Sequence, residues 1–345
     1  PSPGLGFASA TLSRKGRRFI RPHPAWLTPR LSPYSEKDSP MFHGRRTECT
    51  WRLSYCGRSF TIKAMILNID QLLRIRRQPV LDRGTLILAF SGWMDGGDVS
   101  TGTVLRLVYL LEAEPVAEID PDPFYIFNFP GTMEITALFR PPVEIENGLV
   151  KRLEMPENLF YVCEAHHLLL FVGKEPNLFW GTFGDCLFEF ARRSGVERIL
   201  FVGSFGGAVP HTRQPRLYVT CSDAEILAEM EKLGLQRRSS YEGPASFTSY
   251  LMTRAGKEGV QMISLAAEIP GYLQGTNPMS IEAVTRRLAA MLKLPLDLDT
   301  LRAASTQWEL QVSTAVEQNK ELAQQVREME EAYDNELLSQ EPEEG

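Results

Sequence analysis

Ile199-Leu200-Phe201-Val202, running into Gly203-Ser204-Phe205-Gly206-Gly207-Ala208-Val209-Pro210-His211-Thr212-Arg213, is the stretch on which the reading of the fold turns. A short apolar run without alternation suits a strand buried on both faces, as in a parallel sheet covered by helices. The pattern occurs three more times. Leu86–Phe90 leads into Gly92-Trp93-Met94-Asp95-Gly96-Gly97, Leu168–Val172 into Gly173-Lys174-Glu175-Pro176, and Val260–Leu265 into Glu268-Ile269-Pro270-Gly271-Tyr272. In an open α/β sheet the loops after such strands gather along one edge, where ligands bind. The four loops are therefore expected to form one surface.

Between these runs the spacing predicts helices. Val99–Leu111 follows the capping stretch Asp95 to Asp98, and Leu178–Arg193 is amphipathic with Gly195 as its stop. Asp223 caps a helix that ends at Gly234, and Ser246–Ala255 and Pro278–Met291 follow, the last with proline in its first turn. Phe124–Phe129 reads as a short strand within the Pro- and aromatic-rich residues 114–150. Strand then helix, repeated, implies right-handed crossovers and an α/β domain of three αβα layers around a mostly parallel sheet.

The charge is uneven. Residues 1–64 hold 12 Lys and Arg against 3 acids, with seven prolines, while the remaining residues hold 25 against 40. Met65 stands ahead of the first well-patterned stretch. Residues 1–64 are therefore expected to be a basic disordered leader or a misassigned start, followed by an α/β domain over 65–296, a helix over 297–338 and an acidic tail over 339–345. The leader's composition is shared by transit peptides and basic nucleic-acid arms, and composition alone selects neither. The acidic remainder argues against a nucleic-acid partner. No run reaches the length of a membrane span and no secretory h-region is present, so no membrane partner and a cytoplasmic location are expected.

The five cysteines, Cys49, Cys56, Cys163, Cys186 and Cys221, give no disulfide framework and no close pair for zinc. His166 and His167, taken as neighbours on a strand, would point to opposite faces. No metal and no cofactor are expected.

Two readings of the loop chemistry stay open. In one, His211 and Arg213 hold a phosphate or carboxylate with the backbone amides of 203–207, while Asp95, Glu175 and Glu268 supply acid or base groups. In the other, the glycines are turn devices and the prolines fix loops. Established enzymatic signatures fail: 203–207 lacks the Lys-Ser/Thr of a P-loop, the Rossmann glycine spacing is absent, and Val202 stands where a nucleophile elbow needs glycine.

Beyond residue 297, Trp308, Val312, Ala315, Asn319, Leu322, Val326, Met329 and Tyr333 recur at alternating spacings of four and three. This places Asn319 at an a position, a register device in two-stranded coils, although the flanking e and g positions offer no complementary charges. The helix has a stripe to bury, either between subunits or on its own domain.

Taken in order, Phe90-Ser91-Gly92-Trp93-Met94-Asp95-Gly96-Gly97, Gly173-Lys174-Glu175-Pro176 with Trp180, Pro210-His211-Thr212-Arg213, Tyr241-Glu242-Gly243-Pro244, and Ala267-Glu268-Ile269-Pro270-Gly271-Tyr272-Leu273 then Asn277-Pro278 form a series of landmarks. The series resembles the proteasome assembly chaperone family, in its bacterial and archaeal branch, over about residues 66–295. The resemblance implies a domain similar to purine nucleoside phosphorylase, used as a non-enzymatic, homo-oligomeric assembly chaperone or scaffold with protein partners. Trp93, Asp95, Glu175, His211, Arg213, Glu268, Tyr272 and Asn277 would be its ligand or interface cluster, and Trp308, Val312, Asn319, Leu322, Val326 and Met329 its oligomer helix. Relatives that dock on proteasome α-rings often carry a C-terminal hydrophobic-Tyr-any tripeptide. This sequence ends Glu341-Pro342-Glu343-Glu344-Gly345, so docking by that route is not expected. Gly271 is a second departure, since relatives commonly have histidine there. Some relatives are classed as carboxylate–amine ligases, and the alternative is accordingly a small-molecule enzyme or binder at the same loops.

Overall fold

The computed structural model describes residues 48–340 apart from 56, 57, 66 and 236, and of 48–65 and 340 the backbone alone. Most of the expected leader, Cys56, and residues 341–345 of the expected tail lie outside the described residues. β1 (Glu48–Tyr55) and β2 (Arg58–Met65) form an antiparallel hairpin with Glu48 opposite Met65. The chain continues through α1 (Ile69–Leu72), β3 (Leu73–Ile75), β4 (Gly84–Ser91), α2 (Val99–Leu110), β5 (Glu114–Ile119), α3 (Met133–Ala137), β6 (Val143–Glu146), β7 (Leu149–Leu153) and β8 (Leu159–Cys163). There follow β9 (Leu168–Lys174), α4 (Trp180–Arg193), β10 (Val196–Gly207), β11 (Arg216–Cys221), α5 (Ala224–Lys232), α6 (Phe247–Ala255), β12 (Gln261–Pro270), α7 (Pro278–Leu292), α8 (Asp299–Glu317) and α9 (Lys320–Gln340).

Eight strands make one sheet in the order β11-β12-β10-β4-β9-β8-β5-β3. The four apolar runs are its centre: β12, β10, β4 and β9 are parallel. The strands outside them pair antiparallel, so the sheet is mixed. These outer strands carry half-buried or exposed positions and lack the continuous apolar run that covering on both faces demands.

Alternation along the central strands feeds two cores. Leu86, Leu88, Phe90, Phe171 and Phe201 pack with Phe183, Leu187 and Phe190 of α4 and with Phe247 and Leu251 of α6. Ile87, Ala89, Leu170, Val202, Ile263 and Leu265 pack on the other face with Val104 and Leu107 of α2, Ile226 of α5 and Val284 and Leu288 of α7. A sheet between two helical layers is the three-layer α/β architecture. The predicted cap Asp223 accepts the Ile226 N–H, and Ser246 and Asn277 cap their helices in the same way, accepting the Ser249 and Ser280 N–H groups.

Three local expectations change. Phe124–Phe129 is not a strand. Pro121 and Pro123 bring no N–H donor to a ladder, Asp122–Phe124 forms a 3-10 turn, and Phe124 is buried with its ring centroid 4.9 Å from that of Phe183. His166 and His167 lie in the turn joining β8 to β9, with His167 at φ 52°, and not on a strand. The heptad stretch is two helices. The Asn319 side chain accepts the N–H groups of Glu321 and Leu322 and caps α9, so it starts a helix instead of setting a register inside one.

Candidate functional site

The loops after the parallel strands do meet at one edge, where carboxylates tie them together. Glu175, just past β9, accepts the Trp93 N–H at 3.0 Å and the Phe247 N–H at 2.7 Å, joining the loop after β4 to the positive end of α6. Asp95 turns inward and accepts both the Thr101 N–H (3.1 Å) and the Thr101 hydroxyl (2.8 Å) within the first turn of α2. Asn277 is buried, caps α7, and donates its backbone N–H to the Gly97 carbonyl at 2.8 Å.

Burial raises the Asp95 carboxyl from 3.8 to about 6, outweighing the Thr101 hydrogen bonds that favour the charged form. The folded state therefore holds this proton more tightly than the unfolded chain. The resulting penalty is fully present above pH 6 and shrinks as the pH falls towards 4. On moving from pH 7 to pH 5, wild type is expected to gain about 1 kcal/mol relative to Asp95→Asn in urea melts. Parallel stability curves would contradict this. Burial lowers the His211 pKa, so acidification costs stability there, but His211 is common to both proteins and drops out of the difference.

The second cluster lies under the C-terminal helices. His211 is buried. Its N–H donates to the Tyr272 hydroxyl at 2.9 Å, Nδ1 meets the same hydroxyl at 2.6 Å, and Nε2 meets Ser313 Oγ of α8 at 3.1 Å. Thr212 donates its hydroxyl to Glu330, and Arg213 donates Nε and Nη2 to the two carboxylate oxygens of Asp334 at 2.8 and 2.7 Å. Arg216 and Arg237 share Glu336 at 2.7 and 2.5 Å, while the Arg216 guanidinium lies 4.5 Å from the Tyr333 ring centroid. In one continuous helix Ser313 and Glu330 would stand about 25 Å apart. Here they reach the adjacent residues His211 and Thr212, so α8 and α9 fold back on each other as a hairpin against their own domain. Gly271 borders the cluster. Its N–H donates to the Gly207 carbonyl, and a Cβ added at Gly271 would lie 3.0 Å from that same oxygen, so a side chain there requires the loop to shift.

Glu268 stands between the two clusters. It is buried, accepts the Ala208 N–H at 2.9 Å and the Tyr218 hydroxyl at 3.2 Å, and lies 3.6 Å from Arg216. Above it opens a cleft of about 780 Å³ whose lining includes Trp93 and Glu268 but not Asp95, Glu175, His211 or Arg213. The predicted cluster thus divides into Trp93 and Glu268 on the cleft, Glu175 and Asp95 as loop braces, Asn277 as a helix cap, and His211, Arg213 and Tyr272 beneath the helical hairpin.

Arg216, Tyr218, Thr220, Ser264 and the acids of α9 were missed by sequence reasoning. The available signal was a period of two, Arg216-x-Tyr218-x-Thr220 and Ser264-x-Ala266-x-Glu268, polar or small on one face and apolar on the other. Among the described residues no helix is long and apolar enough to cross a membrane.

Comparison with known proteins follows the same outline. A Mycobacterium tuberculosis protein of unknown function superposes with a TM-score of 0.68 at 23% identity, over 78% of this chain and 91% of its own. A PAC2 family protein from Streptomyces avermitilis MA aligns at 26% identity with a TM-score of 0.59, over 70% of this chain and 99% of its own. A proteasome-assembly chaperone homologue of Mycobacterium tuberculosis aligns at 26% identity with a TM-score of 0.61, over the same shares. No curated protein matches. The PAC2 family model matches residues 89–316, from the end of β4 through α8, and the chain belongs to the PAC2 family.

Proposed function

We propose that this chain is a non-enzymatic assembly chaperone or scaffold of the cytoplasm that works as a homo-oligomer and binds protein through the arm between β5 and β8. Membership of the PAC2 family supports the reading, as does the 26% identity to a relative named a proteasome-assembly chaperone homologue. The observation that carries it is the hairpin β6–β7. Its register sets Val143 opposite Leu153 and Ile145 opposite Val150, so these four share one face while Glu144, Glu146 and Arg152 take the other. With Leu149, and with Met133 and Leu138 near by in sequence, they are between 53% and 86% exposed. An isolated two-stranded hairpin is marginal in water, so an apolar face of this kind needs cover.

The area fits that need. Seven such side chains, about two-thirds exposed, offer roughly 400 Å² of apolar surface over the arm as a whole, with Leu149 on the opposite face beside Glu146. One side of a standard interface supplies roughly 450 Å². A second copy of the chain is the partner this area suits. Light scattering on the full-length protein tests it. Wild type is expected as an oligomer, and Ile145→Asp with Val150→Asp as a folded monomer with the same far-ultraviolet circular dichroism; equal masses would refute the arm's role. The relative's name suggests the proteasome as client. Co-purification from cell extract followed by mass spectrometry tests this, and recovery of the chain without proteasome subunits would remove that client.

Internal partners weaken the ligand-binding alternative at His211 and Arg213. Arg213 is committed to Asp334, and His211 to Tyr272 and Ser313.

A further inference from the structure

We propose that the cleft above β11 and β12 binds a small neutral ring compound carrying several hydroxyls, of the nucleoside or glycoside kind, and that it does not bind an anion. The space is built into the strand sequence. On one face β12 presents Ile263, Leu265 and Ala267 to the core shared with α2 and α7, whereas on the other it presents Ser264, Ala266 and Glu268. The register continues the contrast across the sheet: Tyr218 and Gly203 flank Ala266, and Thr220 flanks Ser264. Small residues stand where a covering helix would ordinarily meet large aliphatic ones, and α6 with the 239–244 loop forms walls above them. The volume falls within the range of small-molecule sites.

Chemistry narrows the ligand. Among the described residues no Lys, Arg or His lines the cleft, and the positive end of α6 is already met by Glu175, so an anion would find no free counter-charge. Glu268 already faces Arg216 and receives the Ala208 N–H and the Tyr218 hydroxyl, which leaves little net field to hold a cation. Uncharged hydrogen-bonding groups remain. The hydroxyls of Thr220 and Ser264, opposite each other on adjacent strands, have no hydrogen-bond partner among the described residues. Aromatic surface completes the site: Trp93 and Tyr241 line it while largely exposed, and Phe205 and Tyr218 meet at 5.6 Å between ring centroids. Rings of this kind stack on a heterocycle or on the apolar face of a sugar, while hydroxyls and one carboxylate oxygen take the polar edge.

Isothermal titration of the full-length protein with a panel of neutral nucleosides, their 5′-monophosphates and neutral disaccharides tests the proposal. Saturable submillimolar binding is expected in the nucleoside or the disaccharide arm, and which arm responds identifies the source. If nucleosides bind, each monophosphate should bind at least tenfold more weakly than its parent. Ser264→Leu, which fills the floor, should weaken binding at least tenfold, and Thr220→Val, at an exposed position, severalfold, both with unchanged melting temperature. Absence of saturation in both arms, equal binding of the monophosphates, or full binding by both variants would overturn the assignment. The site is independent of the arm between β5 and β8, so Ile145→Asp with Val150→Asp should retain the ligand whatever its mass.

Discussion

Arg216→Met is expected to lower the unfolding free energy by about 3 kcal/mol, and the melting temperature by roughly 6–12 °C. The arginine side chain is 11% exposed and Glu268, 3.6 Å away, is 9% exposed. Methionine keeps much of the apolar stem and loses the charge. Glu268 is left buried with only the Ala208 N–H and the Tyr218 hydroxyl, and Glu336 loses one of its two arginines. Breaking a buried pair from one side costs more than removing both charges, because the remaining ion keeps its desolvation penalty. Arg216→Met with Glu268→Gln should therefore recover most of the loss. Denaturant melts of the two variants decide the matter: a double variant no better than the single one would mean that the pair is not the source of the effect.

Deleting α9 by truncation after Gln318 should cost about 5 kcal/mol, comparable with the whole stability of a marginal domain. Val326 and Tyr333 are buried on the domain, and the Tyr333 hydroxyl donates to the Gln214 carbonyl at 3.0 Å. Arg213, Arg216 and Arg237 lose Asp334 and Glu336 together. The expected result is a lower guanidinium midpoint with rapid proteolysis of the 210–216 loop. An unchanged midpoint with a smaller oligomer would instead assign α9 to pairing between subunits. The intact clamp should also loosen in acid. The hydrogen bond from Arg213 holds Asp334 below its ordinary value of 3.8, and that from Arg237 holds Glu336 below 4.5. Their contribution is complete above those ordinary values and is lost as the pH falls through the depressed ones.

This arrangement makes the C-terminal hairpin part of the domain's own construction. Its acids cap a basic strip that would otherwise face solvent, while the apolar arm between β5 and β8 keeps its bare face. Bare apolar surface is where association recovers most free energy per unit area, which is why the arm and not α9 is proposed as the interface.

The sequence by itself determined the parallel centre of the sheet and its helical cover, not the antiparallel outer strands. Leu86–Phe90, Leu168–Val172, Ile199–Val202 and Val260–Leu265 are too uniformly apolar to sit anywhere but the covered centre of a sheet. Asp223 marked one helix start because a capping side chain acts within its own first turn, and Pro278 marked another because its ring presets the first-turn backbone. Loop convergence was legible too, since parallel strands must end on one side. Only the tertiary structure decided who pairs with whom. Arg213 and Asp334, or Arg216 and Glu336, are distant in sequence and carry no local mark of their partnership. Asn319 satisfies a heptad position and a helix cap equally well on paper, and the packing of α8 and α9 against the 211–216 loop selected the cap. The cleft was hidden for a related reason. Ser264 and Ala266 look unremarkable until the sheet register sets them beside Thr220 and Tyr218, and only then do Ser264, Ala266 and Thr220 become a floor.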